Sequence, residues 1–277
     1  MTEARPGAAG RTARFVDAHV HLRDPAGLAD ALAAGVTALR DAGTKDGRGL
    51  RAASSDRPQV ISAGWALVRM GGYGTVFGKA VGSHEEIKAE IRKLGSAGAG
   101  IIKVVASGMV SLKDPGAITP GGFGPDDLRF IVEEAAQLGL GVMAHANGEE
   151  AIGNAAAARV LSIEHGFFMT NEALQVMHKN GVFWVPTIAA LQRAAETPGA
   201  SSAARAFVNV TIQRHIEMVG KAFHAGVRLA IGTDCVLPDP HYGEFFEVEL
   251  ACFRRAGIPE EDVIRIASRV GKELLHV

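Results

Sequence analysis

His19 and His21 lie two residues apart inside the apolar run "FVDAHVHL". Side chains on a strand alternate faces, so both imidazoles point to the same side. Further along, Lys103 interrupts the β-forming stretch "GIIKVVASG", His145 sits near the end of "VMAHAN", His165 near the end of "SIEHG", and Asp234 ends "AIGTD". Taken singly, each has an ordinary structural reading. A histidine at a strand end is commonly a hydrogen-bonded rim residue, and a lysine on an edge strand reaches for water. A closed barrel removes that second reading, because it has no edge through which an inward lysine can escape. A buried ammonium is costly, and burial lowers the lysine pKa. The neutral amine so produced can add carbon dioxide to give a carbamate, a bidentate anion able to bridge two metal ions. Four histidines, one carboxylate and one carbamate form a mixed nitrogen and oxygen donor set that zinc, manganese, iron or cobalt would accept. Without cysteine ligands, the set does not read as a closed structural zinc site.

The surrounding sequence must bring these groups together. Strands are predicted at "RFVDAHVHL", "VTALRDAG", "QVISAGW", "GIIKVVASG", "LGVMAHAN", "LSIEHG", "VFWVPT" and "VRLAIGTD". Between most of them lie helical patterns such as "SHEEIKAEIRKLGSAG", "GPDDLRFIVEEAAQLG" and "TNEALQVMHKNG", with Gly139 and Gly181 as left-handed stops. Eight strand–helix units in 277 residues fit an α/β fold of the (β/α)₈ TIM-barrel type. An open doubly wound sheet is the alternative, but no GxGxxG turn follows the first strand. Three long linkers, "RMGGYGTVFGKAVG", "SGMVSLKDPGAITPGGFG" and "VLPDPHYGEFF", all follow strand C-termini, the face where such barrels carry their sites. The final "EEDVIRIASRVGKELLHV" reads as one or two closing helices. The domain division expected is a flexible lead over 1–13 and one barrel over 14–277.

Composition narrows the class of partner. The chain is 47% hydrophobic and 21% charged, with a formal net charge of −1. That balance suits a soluble globular protein and supplies no electrostatic reason for a nucleic acid or an anionic membrane as partner. The expected partner is a small-molecule substrate, with a homo-oligomer left open. Cys235 and Cys252 are the only cysteines, too few for a disulfide framework, so a reducing, cytoplasmic setting is expected. "MTEARPGAAGRTAR" lacks the apolar core of a signal peptide, and no run reaches membrane-spanning length.

The order HxH, Lys, His, His, Asp on strands one, four, five, six and eight resembles the amidohydrolase superfamily, from about residue 14 to about residue 275. "AGVTALRDAG", "AHANGEEAI", "SIEHG", "GVFWVPT" and "IGTD" look like the branch near imidazolonepropionases and prolidase-like amidohydrolases, whereas "HVHLRDP" looks more like dihydroorotase. Two departures stand out. Relatives of this branch usually carry a small β-sandwich before and after the barrel, and only about a dozen residues precede the first strand here. The "GGH" often found after strand three is "GGYG", with Tyr73 in place of a histidine that can touch substrate.

By this resemblance, His19, His21 and Asp234 would hold one metal ion, zinc first among the choices, and His145 with His165 a second. Carbamylated Lys103 and a hydroxide would bridge the two ions. The hydroxide would attack a carbonyl, and Asp234, the catalytic residue, would carry the released proton to the leaving nitrogen. The implied reaction is hydrolysis of an amide or cyclic amide outside peptide bonds, on a small carboxylate-bearing substrate. Arg23 matches the dihydroorotase position that holds a substrate carboxylate. Arg69, Tyr73, Asn147 and His241 are further substrate-binding candidates through their loop positions. Two other readings keep the metal site: a lactonase or phosphotriesterase-like hydrolase, and a non-catalytic metal-binding scaffold. Cys235 follows Asp234, but alternation points it away from the metals and into packing.

Overall fold

The computed structural model describes residues 14–52, 58–75, 77–196 and 199–277, so the expected lead over 1–13 lies outside the described residues. The strands in chain order are β1 (Phe15–Leu22), β2 (Val36–Asp41), β3 (Gln59–Ser62), β4 (Ala66–Arg69), β5 (Gly78–Val81) and β6 (Ile102–Val105). β7 (Val142–Ala146), β8 (Ser162–His165), β9 (Phe183–Val185), β10 (Arg228–Leu229) and β11 (Cys235–Leu237) follow. Every strand pair is parallel.

The strands fall into two sheet segments, β11-β1-β2-β3 and β10-β9-β8-β7-β6-β4-β5. At one seam the chain runs from β3 into β4, with Ala63 N–H donating to Asp41 O at 2.9 Å. At the other it runs from β10 into β11, where Ala230 N–H donates to Trp184 O at 3.0 Å and Ala18 N–H to Ile231 O at 2.8 Å. The third and eighth strands are thus each one stretch of chain that leaves one neighbour and joins the next. The result is a TIM-barrel-like α/β fold, with the strands expected from their apolar runs in the expected order.

Burial explains the pattern. Val16, Ala18, Val20 and Leu22 of β1 are at most 1% exposed, as a strand covered on both faces requires. The helix His84–Ser96 opens on Ser83, whose hydroxyl accepts from Glu86 N–H, and buries Ile87, Ile91 and Leu94 against the sheet. Such aliphatic side chains contribute about 1.5–3 kcal/mol each on full burial. Gly181 ends the helix Asn171–Asn180 at φ 67°, the left-handed stop its position predicted. Among the described residues no helix is long and apolar enough to cross a membrane.

Two expected loops contain strands. β5 lies inside "RMGGYGTVFGKAVG" and pairs with β4 in parallel, and Lys79 of β5 stands 3.8 Å over the Trp65 ring. β11 occupies the start of "VLPDPHYGEFF" and pairs with β1, and the helix Tyr242–Arg255 begins within the same stretch.

That helix buries Glu249 completely. One carboxyl oxygen accepts from Ala189 N–H at 2.8 Å, and the other has no hydrogen-bond partner among the described residues. Burial pushes its pKa up from the ordinary 4.5 to about 8. The folded chain therefore holds this proton more tightly than the unfolded chain, and stability declines as pH rises from 4.5 towards 8. Gln in its place keeps an acceptor and cannot ionise. Glu249→Gln is expected to melt above the unsubstituted protein at about pH 9, with the gap closing near pH 5, in thermal melts at both values. A gap independent of pH would contradict this.

Candidate active site

The strands, and one turn between them, place the polar intruders at one mouth. β1 delivers His19 and His21, β6 Lys103, β7 His145, β8 His165, and the turn between β10 and β11 delivers Asp234. All six, with Tyr73 and Asn147, line a single cavity of about 200 Å³. Its remaining wall is largely apolar and includes Phe77, Met109, Leu112, Phe167 and Leu191.

Backbone strain accompanies this convergence. His165, Thr187 and Asp234 adopt φ of 64°, 50° and 54°. Left-handed geometry is rare for a β-branched residue such as Thr187, and strain of this kind persists where the surroundings over-determine it. Asp234 N–H is held by His19 O at 2.7 Å, fixing the turn against β1. Gly232 allows the approach, since a Cβ there would stand 2.9 Å from His19 Cβ and 2.4 Å from Val185 Cγ1.

The histidines are orientated by their second nitrogens. His19 Nδ1 donates to Glu164 Oε2 at 2.6 Å, and His21 Nδ1 to Gly43 O at 2.8 Å. Because those acceptors fix the tautomer, Nε2 of each ring carries the lone pair. Nε2 of His19 and His21 lie 3.4 and 3.3 Å from Asp234 Oδ1. His165 Nδ1 lies 2.7 Å from Thr187 Oγ1. His145 differs: its Nε2 is 3.0 Å from Gly108 O and 3.2 Å from Asn147 Nδ2, leaving Nδ1 as its other nitrogen. The rings of His145 and His165 are 4.5 Å apart, and those of His19 and His165 5.1 Å.

Electrostatics keep these groups ready to act as ligands. Burial, with the Lys103 charge, pushes His19 down to about 4 and His145 to about 3, so both are neutral at pH 7. Burial also holds His165 well below its ordinary value. Lys103, 2% exposed, is lowered to about 8 by burial, against the attraction of Glu164 and Asp234. Burial would raise the Asp234 carboxyl, but His19, His21 and His165 outweigh it and hold that group well below the carboxylate range.

A divalent ion fits this arrangement. His19 Nε2 is buried without a hydrogen-bond partner among the described residues, and ligand atoms of His19, His21 and Asp234 lie within 4.8 Å of one another. Desolvating an imidazole lone pair with nothing to accept from is unfavourable, and a cation would remove that cost.

Other candidate residues lie elsewhere. Arg23 is exposed and lines an adjoining concavity that shares His21 and Phe77 with the cavity. Arg69 pairs with Asp127, and His241 precedes the helix Tyr242–Arg255, its Nδ1 3.5 Å from Glu244; neither lines the cavity. Cys235 is buried beside Arg193 and Asp239, and burial pushes its thiol up to about 12, which suits packing and not nucleophilic chemistry. Sequence reasoning passed over Glu164, Arg40 and Thr187. The signal was present in "SIEHG" and "VTALRDAG", where a charged residue also interrupts a β run. Arg40 Nη2 donates to Glu164 Oε1 at 2.9 Å, so the two charges satisfy each other behind His19.

Comparison with known proteins agrees with the fold. Ochratoxinase of Aspergillus niger is 29% identical over 273 residues, 87% of this chain and 56% of that protein, so the chain spans about half of that relative's length. Among solved structures, a prolidase complexed with N-methylphosphonate-L-proline is 27% identical, with a TM-score of 0.75 over 95% of this chain and 74% of that one. A Xaa-Pro dipeptidase with methionine bound in its active site shares the fold at a TM-score of 0.79 and 23% identity, over 95% of this chain and 75% of that one. The sequence profile of the Amidohydrolase family matches residues 12–277, and the chain belongs to that family.

Proposed function

We propose that the chain is a metal-dependent hydrolase of amide or cyclic amide bonds outside peptides, acting on a small substrate with an apolar portion and a carboxylate. The observation that carries this reading is the buried, unpartnered Nε2 of His19 beside His21 and Asp234, in a cavity that also contains Lys103. His19, His21 and Asp234 would hold one divalent ion, His145 and His165 a second, and Lys103 as its carbamate would join them. Zinc suits the donors first, and manganese, iron or cobalt would also be accepted. When bound, such ions supply a water-derived nucleophile at neutral pH and polarise the substrate carbonyl.

The chain's own residues do the rest. Asp234, one-quarter exposed at the cavity, takes the proton released by the attacking water at a carboxylate oxygen and delivers it to the leaving nitrogen. Tyr73, whose phenol burial pushes up to about 12, stays protonated and offers a hydrogen bond to the substrate carbonyl. Asn147 holds His145 and the Gly108 carbonyl in place. Phe77, Leu112, Phe167 and Leu191 exclude water and receive the apolar portion, and Arg23 at the margin meets the carboxylate.

The test combines metal analysis with substrate panels. After reconstitution with zinc and ¹³C-bicarbonate, the protein should bind two ions per chain and show a carbamate carbon signal. Lys103→Ala should lose that signal and at least one ion. Amides should be cleaved in preference to lactones and phosphotriesters. Absence of bound metal, or turnover confined to esters, would overturn the reading.

A further inference from the structure

His165 is held by a different kind of partner from the other three histidines. β8 ends on it with a left-handed backbone, and Gly166 continues at φ 69°. A Cβ on Gly166 would stand 2.5 Å from Trp184 Nε1, so the chain passes there only as glycine. The close passage lets Trp184 Nε1–H donate to His165 O at 2.8 Å. β9 thus fixes the backbone of His165, and Thr187, just past β9, meets its ring.

Thr187 is fully buried at a φ of 50°, so its surroundings must hold it. It stands between two anchors that no step of the reaction uses. On one side, His215 of the helix Ser202–His224 donates from Nε2 to Pro186 O at 3.3 Å and is drawn to the His165 carbonyl as well. The His215 ring packs against Phe167 and Trp184, with centroids 4.5 and 5.1 Å away. On the other side, Glu249 of the helix Tyr242–Arg255 accepts from Ala189 N–H and interacts with that of Ile188, where the helix Ile188–Glu196 begins. Both anchors are at most 3% exposed. Residues 186–189 are therefore clamped between two outer helices, with Thr187 in the middle.

A neutral imidazole carries one N–H, and burial keeps His165 neutral at pH 7. Its Nδ1 faces the Thr187 hydroxyl at 2.7 Å and Asp234 Oδ2 at 3.9 Å. A hydroxyl oxygen and a carboxylate on the same side favour the proton on Nδ1. We propose that Thr187, clamped by His215 and Glu249, is a positioning residue that fixes His165 as its Nδ1–H tautomer and leaves Nε2 free to ligate. The proposal rests on the amidohydrolase reading above only in what Nε2 then binds, the second divalent ion.

Long-range ¹H–¹⁵N NMR of metal-free, histidine-labelled protein at pH 7 reads the tautomer directly, with His165→Gln assigning the signals. The unsubstituted protein should show one His165 pattern, protonated at Nδ1. Thr187→Val keeps the branched shape and removes the oxygen, and it should add the Nε2–H form; Thr187→Ser should not. Zinc titration supplies the second readout. The second ion should bind about 10–100-fold more weakly in Thr187→Val, the cost of losing an orienting partner, with the first ion little changed. Glu249→Met and His215→Phe each remove one anchor and should each reproduce part of both changes. Glu249→Gln should reproduce neither, because burial pushes Glu249 up to about 8 and an amide replaces the protonated carboxyl without a change of charge. A His165 pattern indifferent to Thr187→Val would overturn the proposal, and one indifferent to both anchor variants would overturn the clamp. A tautomer shift in a protein that takes up no second ion would uphold Thr187 and sink the two-metal reading. Two tightly bound ions with an unchanged tautomer would do the opposite.

Discussion

Asp234→Asn is expected to cut turnover of an amide substrate by roughly a hundredfold to ten-thousandfold, the span attributed to a positioned general acid–base group, while most of the bound metal remains. The substitution isolates chemistry from structure unusually well. Asp234 sits at φ 54°, a left-handed conformation that Asn tolerates as readily as Asp, so the turn between β10 and β11 should keep its shape. Its backbone N–H still donates to His19 O, and His19 and His21 still present Nε2 to the cavity. What disappears is an oxygen that can take a proton and give it back. Metal content by mass spectrometry and kcat on the same preparation check both halves of the expectation. Near-normal turnover would remove Asp234 from its proposed role, and loss of both ions together would make it a ligand first and a proton carrier second.

The convergence of His19, His21, Lys103, His145, His165 and Asp234 on one cavity was legible because each interrupts an apolar run predicted as a barrel strand, and a barrel gathers the inward-facing side chains of its strands. Partnerships between distant segments were not. Arg69 looks like a free rim cation until Asp127, on the helix Pro125–Ala136, is placed beside it. β5 is short, and its strand character comes from pairing with β4 and not from an apolar run of its own. Nothing local predicts that Lys45, on the loop after β2, lines the same concavity as Arg23 at the end of β1, since that follows from the close passage of Gly43 under Gly64. Periodicity reports which face a residue takes. It does not report who waits on that face.

Glu164→Ala is expected to destabilise the fold by about 3–5 kcal/mol, the cost of leaving a buried charge unpaired. Glu164 is fully buried and accepts from His19 Nδ1 at 2.6 Å, from Arg40 Nη2 at 2.9 Å and from the Ser162 hydroxyl. Arg40 is itself 1% exposed, with Nε donating to Ala18 O at 2.7 Å and Nη1 already without a hydrogen-bond partner among the described residues. Removing the carboxylate strands the guanidinium in the barrel interior. Against a total stability of about 5–15 kcal/mol, that loss brings the domain close to unfolding, and denaturant titration would read it. The same carboxylate orientates His19, and losing such an acceptor costs about 10–100-fold in metal affinity. The two effects separate in a double variant. Arg40→Met with Glu164→Leu removes both charges together, so most of the stability should return. Metal affinity should stay low, because His19 Nδ1 then has no charged acceptor to hold its ring. Recovery of both properties in the double variant would show that Glu164 serves the fold alone; recovery of stability without affinity ties this buried pair to the site.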